Sequence, residues 1–357
     1  MITTASELIS LAEPLLTPSQ RSSDRSGCPH LAQGTRDWFD RSVWSRGRVP
    51  RAGENVTLPL GTKVLLSVGA TPVLGLITIP ATSELILGTE QQQEEEQHGN
   101  VTSSSSDGGV GLSAHGIAVH GALRAGSPSC RLDTQVTITL HGTRPSSRAV
   151  LDAQPRTSKG IHVTGTLDLH GYQYHRTWTR LAKTVRPGDT SVTLQREVSW
   201  EGGQQLLLTT TALKDARDWH QNELLTIAAS TGTGSRSGGS GSSTTTTVHL
   251  ASPALYTHEA NSAWQGEAAL LTRRIVIRGA SVDSDPKDAT PLSCSAGMRV
   301  LGSWATMPCP QSHLTGYGAH VFVEGMHATA RVAGVEFYRV GQTNVRDHTP
   351  PHTHTEG

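Results

Sequence analysis

The sequence predicts an all-β fold, and three observations carry the prediction. Charged residues are 17% of the 357 and aromatics 4%, a charged share below the roughly 25% of an average soluble domain, while Gly, Ser and Thr are abundant. Apolar residues alternate with polar ones over short runs ending in Gly or a polar turn, the period-two signature of strands with one buried face. The pattern also recurs: GIAVHGALRAG (Gly116 to Gly126) and GIHVTGTLDLHG (Gly160 to Gly171) repeat Gly-Ile-x-Val-x-Gly-x-Leu 44 residues apart. Alternation resumed at a fixed interval is what stacked strands need when each coil buries one face against the next, with Gly at tight corners. This favours a β-solenoid; a β-sandwich, which short strands with turns also suit, stays open.

Taken in order, the N-terminal ASELISLAEPLL holds the meagre helical signal. NVTLPLGTKVLLS, LGLITIPATSELILG, GIAVHGALRAG, QVTITLHG, GIHVTGTLDLHG, TSVTLQREVSW, RRIVIRGASV and ARVAGVEFYRVG then give at least eight short strands. Two low-complexity stretches, residues 89–111 and 230–247, interrupt them. Their composition has too little apolar surface to offset the entropy of ordering, so both are expected as flexible surface loops.

Thirty basic residues balance thirty acidic ones, and no basic stripe interleaved with aromatics follows a phosphate backbone, which argues against nucleic acid as a partner. The first twenty residues carry Glu7 and Glu13 without a basic leader or a continuous apolar stretch, unlike a signal peptide. No run approaches the ~18 apolar residues that span a bilayer; membrane attachment would need a segment this chain does not show. Cys28, Cys130, Cys294 and Cys309 allow three pairings, and none lies in a Cys-x-x-Cys arrangement, which argues against a cysteine zinc site. Asn55-Val-Thr57 and Asn100-Val-Thr102 are glycosylation sequons, usable on a secretory route.

The span Trp38 to Ser67 (WFDRSVWSRGRVPRAGENVTLPLGTKVLLS), with LGLITIPATSELILG, the two Gly-Ile repeats, CPH upstream and ITLHG downstream, resembles a G-eight domain, the eight-glycine module of extracellular and cell-surface proteins. Beyond it, HGYQYHRTWTRLAKTVRPGDTSVTLQREVSW, QNELLTI, GEAALLTRRIVIRG and GVEFYRVGQ resemble the parallel β-helix that follows the module in fibrocystin-L and, more distantly, in the cell-surface and secreted hyaluronidases. Trp178 leads into Thr190 to Leu194 without the large extra module of the secreted hyaluronidase type, which favours the fibrocystin-L branch.

The resemblance implies a right-handed parallel β-helix with the G-eight module as its N-terminal coils. Its divisions are a flexible segment 1–27, the G-eight domain 28–170 and β-helix coils 171–357, the last cut at an internal coil. It implies an extracellular or cell-surface setting, with disulfides Cys28–Cys130 and Cys294–Cys309 and glycans on Asn55 and Asn100. Two functions follow: a non-catalytic structural or recognition module for a glycan or an extracellular protein, or a hyaluronan-depolymerising enzyme of the related superfamily.

His352 and His354 match two family histidines spaced i and i+2, which on a strand share a face and could hold a divalent metal, Ca or Zn, or polarise a sugar oxygen. Pro351, Thr349 and Thr353 depart from the family pattern there, which equally suits a solvated His-rich tail. His320 matches a family histidine and Glu267 a family acid, so these four form the candidate polar cluster; no cofactor is required by it. The relatives' acids read here as Ser199, Gln204 and Ala212. Asp168, Asp189 and Glu223 survive and are expected as solvent-facing strand and turn residues, while Trp38, Trp44, Trp178 and Trp200 are expected to pack rather than stack on sugars. Zinc-protease, phosphate-loop and nucleophile-elbow patterns are missing.

Overall fold

The computed structural model describes residues 27–89, 109–144, 155–212, 221–228, 245–281, 292–293, 308–309 and 317–341. Their regular structure is almost entirely strand, so the fold is all-β. The N-terminal helical signal and most of both low-complexity stretches lie outside the described residues. The chain forms two compact units, one from Ser23–Gly171 with Arg274–Gly357, the other holding Tyr172–Arg273.

The first unit is built from two parallel ladders. One pairs Thr35–Asp37, Lys63–Leu66, Glu84–Leu87, Ala122–Ala125, Thr166–His170 and Thr329–Ala333 in that order. The other pairs Val56–Thr57, Leu74–Ile79, Val110–Val119, Val136–Leu140, Ile275–Gly279 and Val335–Tyr338. The second half of Val110–Val119 also pairs with Gly160–Val163, which in turn pairs with His320–Val323.

Parallel register places like residues above like. Val64, Leu85, Leu123 and Leu167 are aligned across four strands and fully buried. Ile77, Ile117 and Ile161 form a second such column. Each fully buried aliphatic side chain contributes about 1.5–3 kcal/mol of transfer free energy. The sequence repeat thus has a direct structural counterpart: Ile117 pairs with Ile161 and Leu123 with Leu167, each pair 44 residues apart. Gly165 shows why the repeat keeps its corner glycine: a Cβ there would lie 2.2 Å from the Gly121 carbonyl oxygen and 2.3 Å from that of His120.

The second unit departs from the expectation that parallel coils fill residues 171–357. Trp178–Arg180, Glu267–Leu270, Gln205–Leu208 and Glu223–Thr226 form one antiparallel sheet, and Ser191–Leu194 pairs antiparallel with Thr246–His249. Side-chain alternation is the same in parallel and antiparallel strands, so the pattern carries no information on direction. The unit has its own apolar core, including Tyr174, Leu181, Leu194, Leu206, Leu208 and Leu270.

Candidate functional site

On the strand Thr166–His170, Leu167 and Leu169 face the aliphatic core, so Asp168 and His170 point to the opposite face. Asp168 is nonetheless only 3% exposed, which corrects its expected solvent-facing role. Its neighbours in register are Arg124 on one side and Arg331 on the other. Arg331 grips both carboxylate oxygens, Nε at 3.0 Å and Nη2 at 2.8 Å. Arg124 Nη1 donates at 2.7 Å and His170 Nε2 lies 2.6 Å away. Arg124 Nε also donates to Glu84, at 3.2 Å. The result is an alternating row Glu84–Arg124–Asp168–Arg331 across four parallel strands.

Burial opposes ionisation of Asp168, but the donors from Arg331 and His170 outweigh it and hold its carboxyl below the ordinary carboxylate range. A carboxylate can only accept, so His170 is fixed with its proton on Nε2. Burial pushes the His170 pKa down, against the pull of Asp168. Its Nδ1 is buried and without a hydrogen-bond partner among the described residues.

His320 is held differently. Its Nε2 lies 2.7 Å from the Arg156 carbonyl oxygen, so it carries the proton, and burial lowers its pKa. Beside it, His162 and Arg156 both bond Glu324, at 2.7 Å and 3.5 Å, and the Arg156 guanidinium lies 3.5 Å over the Phe322 ring. Glu267 is an exposed residue of the antiparallel sheet in the other unit. His352, His354, Asn100 and Cys294 lie outside the described residues, and of Cys309 only its place in the strand Pro308–Cys309 is described.

Glu223 corrects the second solvent-facing expectation. It is 5% exposed, on the same face of its strand as buried Leu225, and its oxygens accept from the Leu255 and Tyr256 backbone N–H groups at 2.8 and 3.0 Å. His258, fully buried, bonds it through Nε2 at 2.8 Å and reaches the Thr209 carbonyl through Nδ1 at 2.8 Å. Neither residue has an alternation signal that marks it as buried. Asp189 behaves as expected, accepting from the Arg186 N–H in a turn at 2.8 Å.

Trp38 and Trp44 pack edge to face with ring centroids 4.7 Å apart, both buried, and Trp200 is buried too. Trp178 is the exception among the four, 54% exposed. Trp44 also lines a cleft of about 220 Å³ with Arg46, Arg48, Glu54 and Asn55. Cys28 and Cys130 form a disulfide closing 102 residues of sequence. Their sulfurs and a His30 ring nitrogen all lie within 4.8 Å of one another, but bonded sulfurs are not thiolates and do not supply a metal-binding pair.

The two repeats, the disulfide loop's Cys130 and the Arg124–Asp168 pair all fall within one continuous stretch. Residues 43–182 match the G8 domain. The G8 match therefore contains the cleft, Arg124, Asp168 and His170, while His320 and Arg331 lie beyond it. A G8 domain-containing protein of Dictyostelium discoideum is 33% identical over 360 residues, covering 99% of this chain and 20% of that protein. Protein rliB of the same organism is 32% identical over 359 residues, 99% of this chain and 26% of its own length. Fibrocystin-L of Mus musculus is 26% identical over 345 residues, 90% of this chain and 7% of its own length. The chain thus spans about a fifth to a quarter of the Dictyostelium relatives it matches. No helix among the described residues is long and apolar enough to cross a membrane.

Proposed function

We propose that this chain is a non-catalytic recognition module of the extracellular or cell-surface setting, which binds a glycan or an extracellular protein on a rigid outer face. Its two parallel ladders are read as coils of a right-handed β-solenoid, with the G8 stretch as the N-terminal coils and Asn55 and Asn100 as glycan acceptors. The observation that carries the reading is the row Glu84–Arg124–Asp168–Arg331. Side chains held by ion pairs to neighbouring strands lose little further entropy on binding, which is what a rigid polar surface contributes to recognition.

The disulfide supports an oxidising compartment, and the likeness to fibrocystin-L supports a cell-surface setting. No cofactor is needed by this reading; a divalent metal at His352 and His354 remains a separate proposal. A hyaluronan-depolymerising site would require a carboxylic acid that gives up a proton beside a second carboxylate. Asp168 is held ionised by two guanidiniums, and Glu223 is tied to two backbone N–H groups and a histidine.

The test is a screen of the purified chain against arrays of glycans and extracellular proteins. The expected result is saturable binding of at least one ligand that Arg331→Ala weakens without loss of fold; Arg331 is 55% exposed in its side chain, so truncation leaves no cavity. Binding unchanged by Arg331→Ala, or no ligand on either array, would overturn the reading.

A further inference from the structure

The cleft lined by Trp44, Arg46, Arg48, Glu54, Asn55 and Thr57 has an uneven charge. In the sequence around it Arg46, Arg48 and Arg51 face a single acid, Glu54. Arg48 grips both oxygens of that acid, at 2.9 and 2.5 Å. Hydrogen bonding from Arg48 pulls the Glu54 carboxyl down to about 2, so it stays ionised at any physiological pH. Its charge is thereby matched by Arg48. Arg46 reaches the same carboxylate with one nitrogen, Nη1 at 2.9 Å, and its side chain is 66% exposed. A guanidinium has five N–H donors in a planar fork suited to carboxylate and sulfate oxygens, so most of the Arg46 fork is open for a ligand.

Size and surroundings narrow the ligand. A volume of about 220 Å³ is below the ~300–1,000 Å³ of sites that enclose drug-sized ligands, which suits one ring-sized unit. The lining includes uncharged polar side chains as well, among them Asn55 and Thr57. The Asn55 Oδ1 accepts the Leu76 N–H at 2.8 Å, which fixes the amide and leaves Nδ2, the atom an N-glycan takes, facing away from that bond. Both ends of the Asn55-Val-Thr57 sequon are therefore part of the cleft.

We propose that this cleft is a subsite for one anionic sugar unit, carrying a carboxylate or a sulfate and held by Arg46, and that N-glycosylation of Asn55 closes it. The proposal rests on the glycan-recognition reading and adds the class of sugar, the residue that binds it and a modification that controls it.

The experiment titrates the full chain with methyl glucuronide, glucose 6-sulfate and neutral methyl glucoside, following backbone NMR shifts of residues 44–57 and Trp fluorescence. Wild type made without glycosylation should bind the two anionic sugars and not the neutral one. Arg46→Ala should weaken that binding about tenfold, the loss of one charge-assisted hydrogen bond, with no change in melting temperature. In a glycosylating host, wild type should carry a glycan on Asn55 and lose the binding. Wild type made in the same host with N-glycosylation blocked should retain it. Equal binding of the neutral sugar, or wild-type affinity in Arg46→Ala, would overturn the subsite. An Asn55 without glycan, or with one that leaves affinity unchanged, would overturn the control. Array binding lost in Arg331→Ala but intact in Arg46→Ala would remove the cleft and keep the recognition reading; glucuronide binding by a chain that recognises no array glycan would do the reverse.

Discussion

In the parallel unit the buried acid lies outside the aliphatic stacks. Asp168 faces away from Leu167 and Leu169 and is neutralised by guanidiniums that its register neighbours supply. In the antiparallel unit the buried acid lies among the core residues: Glu223 shares a face with Leu225 and is satisfied by two backbone N–H groups and His258. One arrangement follows from repetition, because parallel register lines up position after position and lets charges alternate along a row. The other is local and singular, a cross-link between strand and loop where backbone donors and a histidine must converge on one carboxylate. The first acid is paired with a half-exposed guanidinium, Arg331, and the second with a fully buried imidazole, His258.

That difference orders the effects of breaking each site. Glu223→Ala should be the most damaging, at about 3–5 kcal/mol, because it leaves two backbone N–H groups and the Nε2 of fully buried His258 without their acceptor. Urea unfolding should show the loss, and hydrogen exchange should locate it in Gln205–Leu208 and Glu223–Thr226; a loss no larger than that of Asp168→Ala would contradict the contrast between the two acids. Asp168→Ala should cost less, about 1–3 kcal/mol, since Arg124 keeps Glu84 and Arg331 is already half in water.

Acid should separate the units next. His141, His170 and His320 all belong to the parallel unit, and burial holds each below the ordinary value of 6.5. The unfolded chain therefore takes up protons first, so their contribution is complete above 6.5 and is lost as pH falls from there through the lowered native values. Melting followed at pH 7.5 and pH 5 should show the parallel unit losing stability, and His320→Gln should flatten the dependence. Arg331→Ala should have the smallest effect on stability, at most about 1 kcal/mol, which makes it the cleanest probe of ligand binding.

The same contrast explains what the sequence makes legible. Columns such as Leu85–Leu123–Leu167 are readable because alternation and a 44-residue interval both survive in the chain. The antiparallel strands alternate equally well, yet direction leaves no mark on alternation, so they read as further coils. The polar residues follow suit. His320 is legible as a special position, although the structure ties it to a carbonyl. The burial of Asp168 is not, because it depends on Arg331, 163 residues away. Among the described residues the cleft leaves one signal that could have drawn attention, three arginines against one acid between positions 46 and 54.

The most direct measurement is size-resolved incubation of high-molecular-weight hyaluronan and of any array-positive glycan with the folded, secreted chain, with and without Ca²⁺ or Zn²⁺. A recognition module should bind its ligand and leave every polymer at its starting length, whereas shortening of hyaluronan by chain of verified fold would contradict the non-catalytic reading.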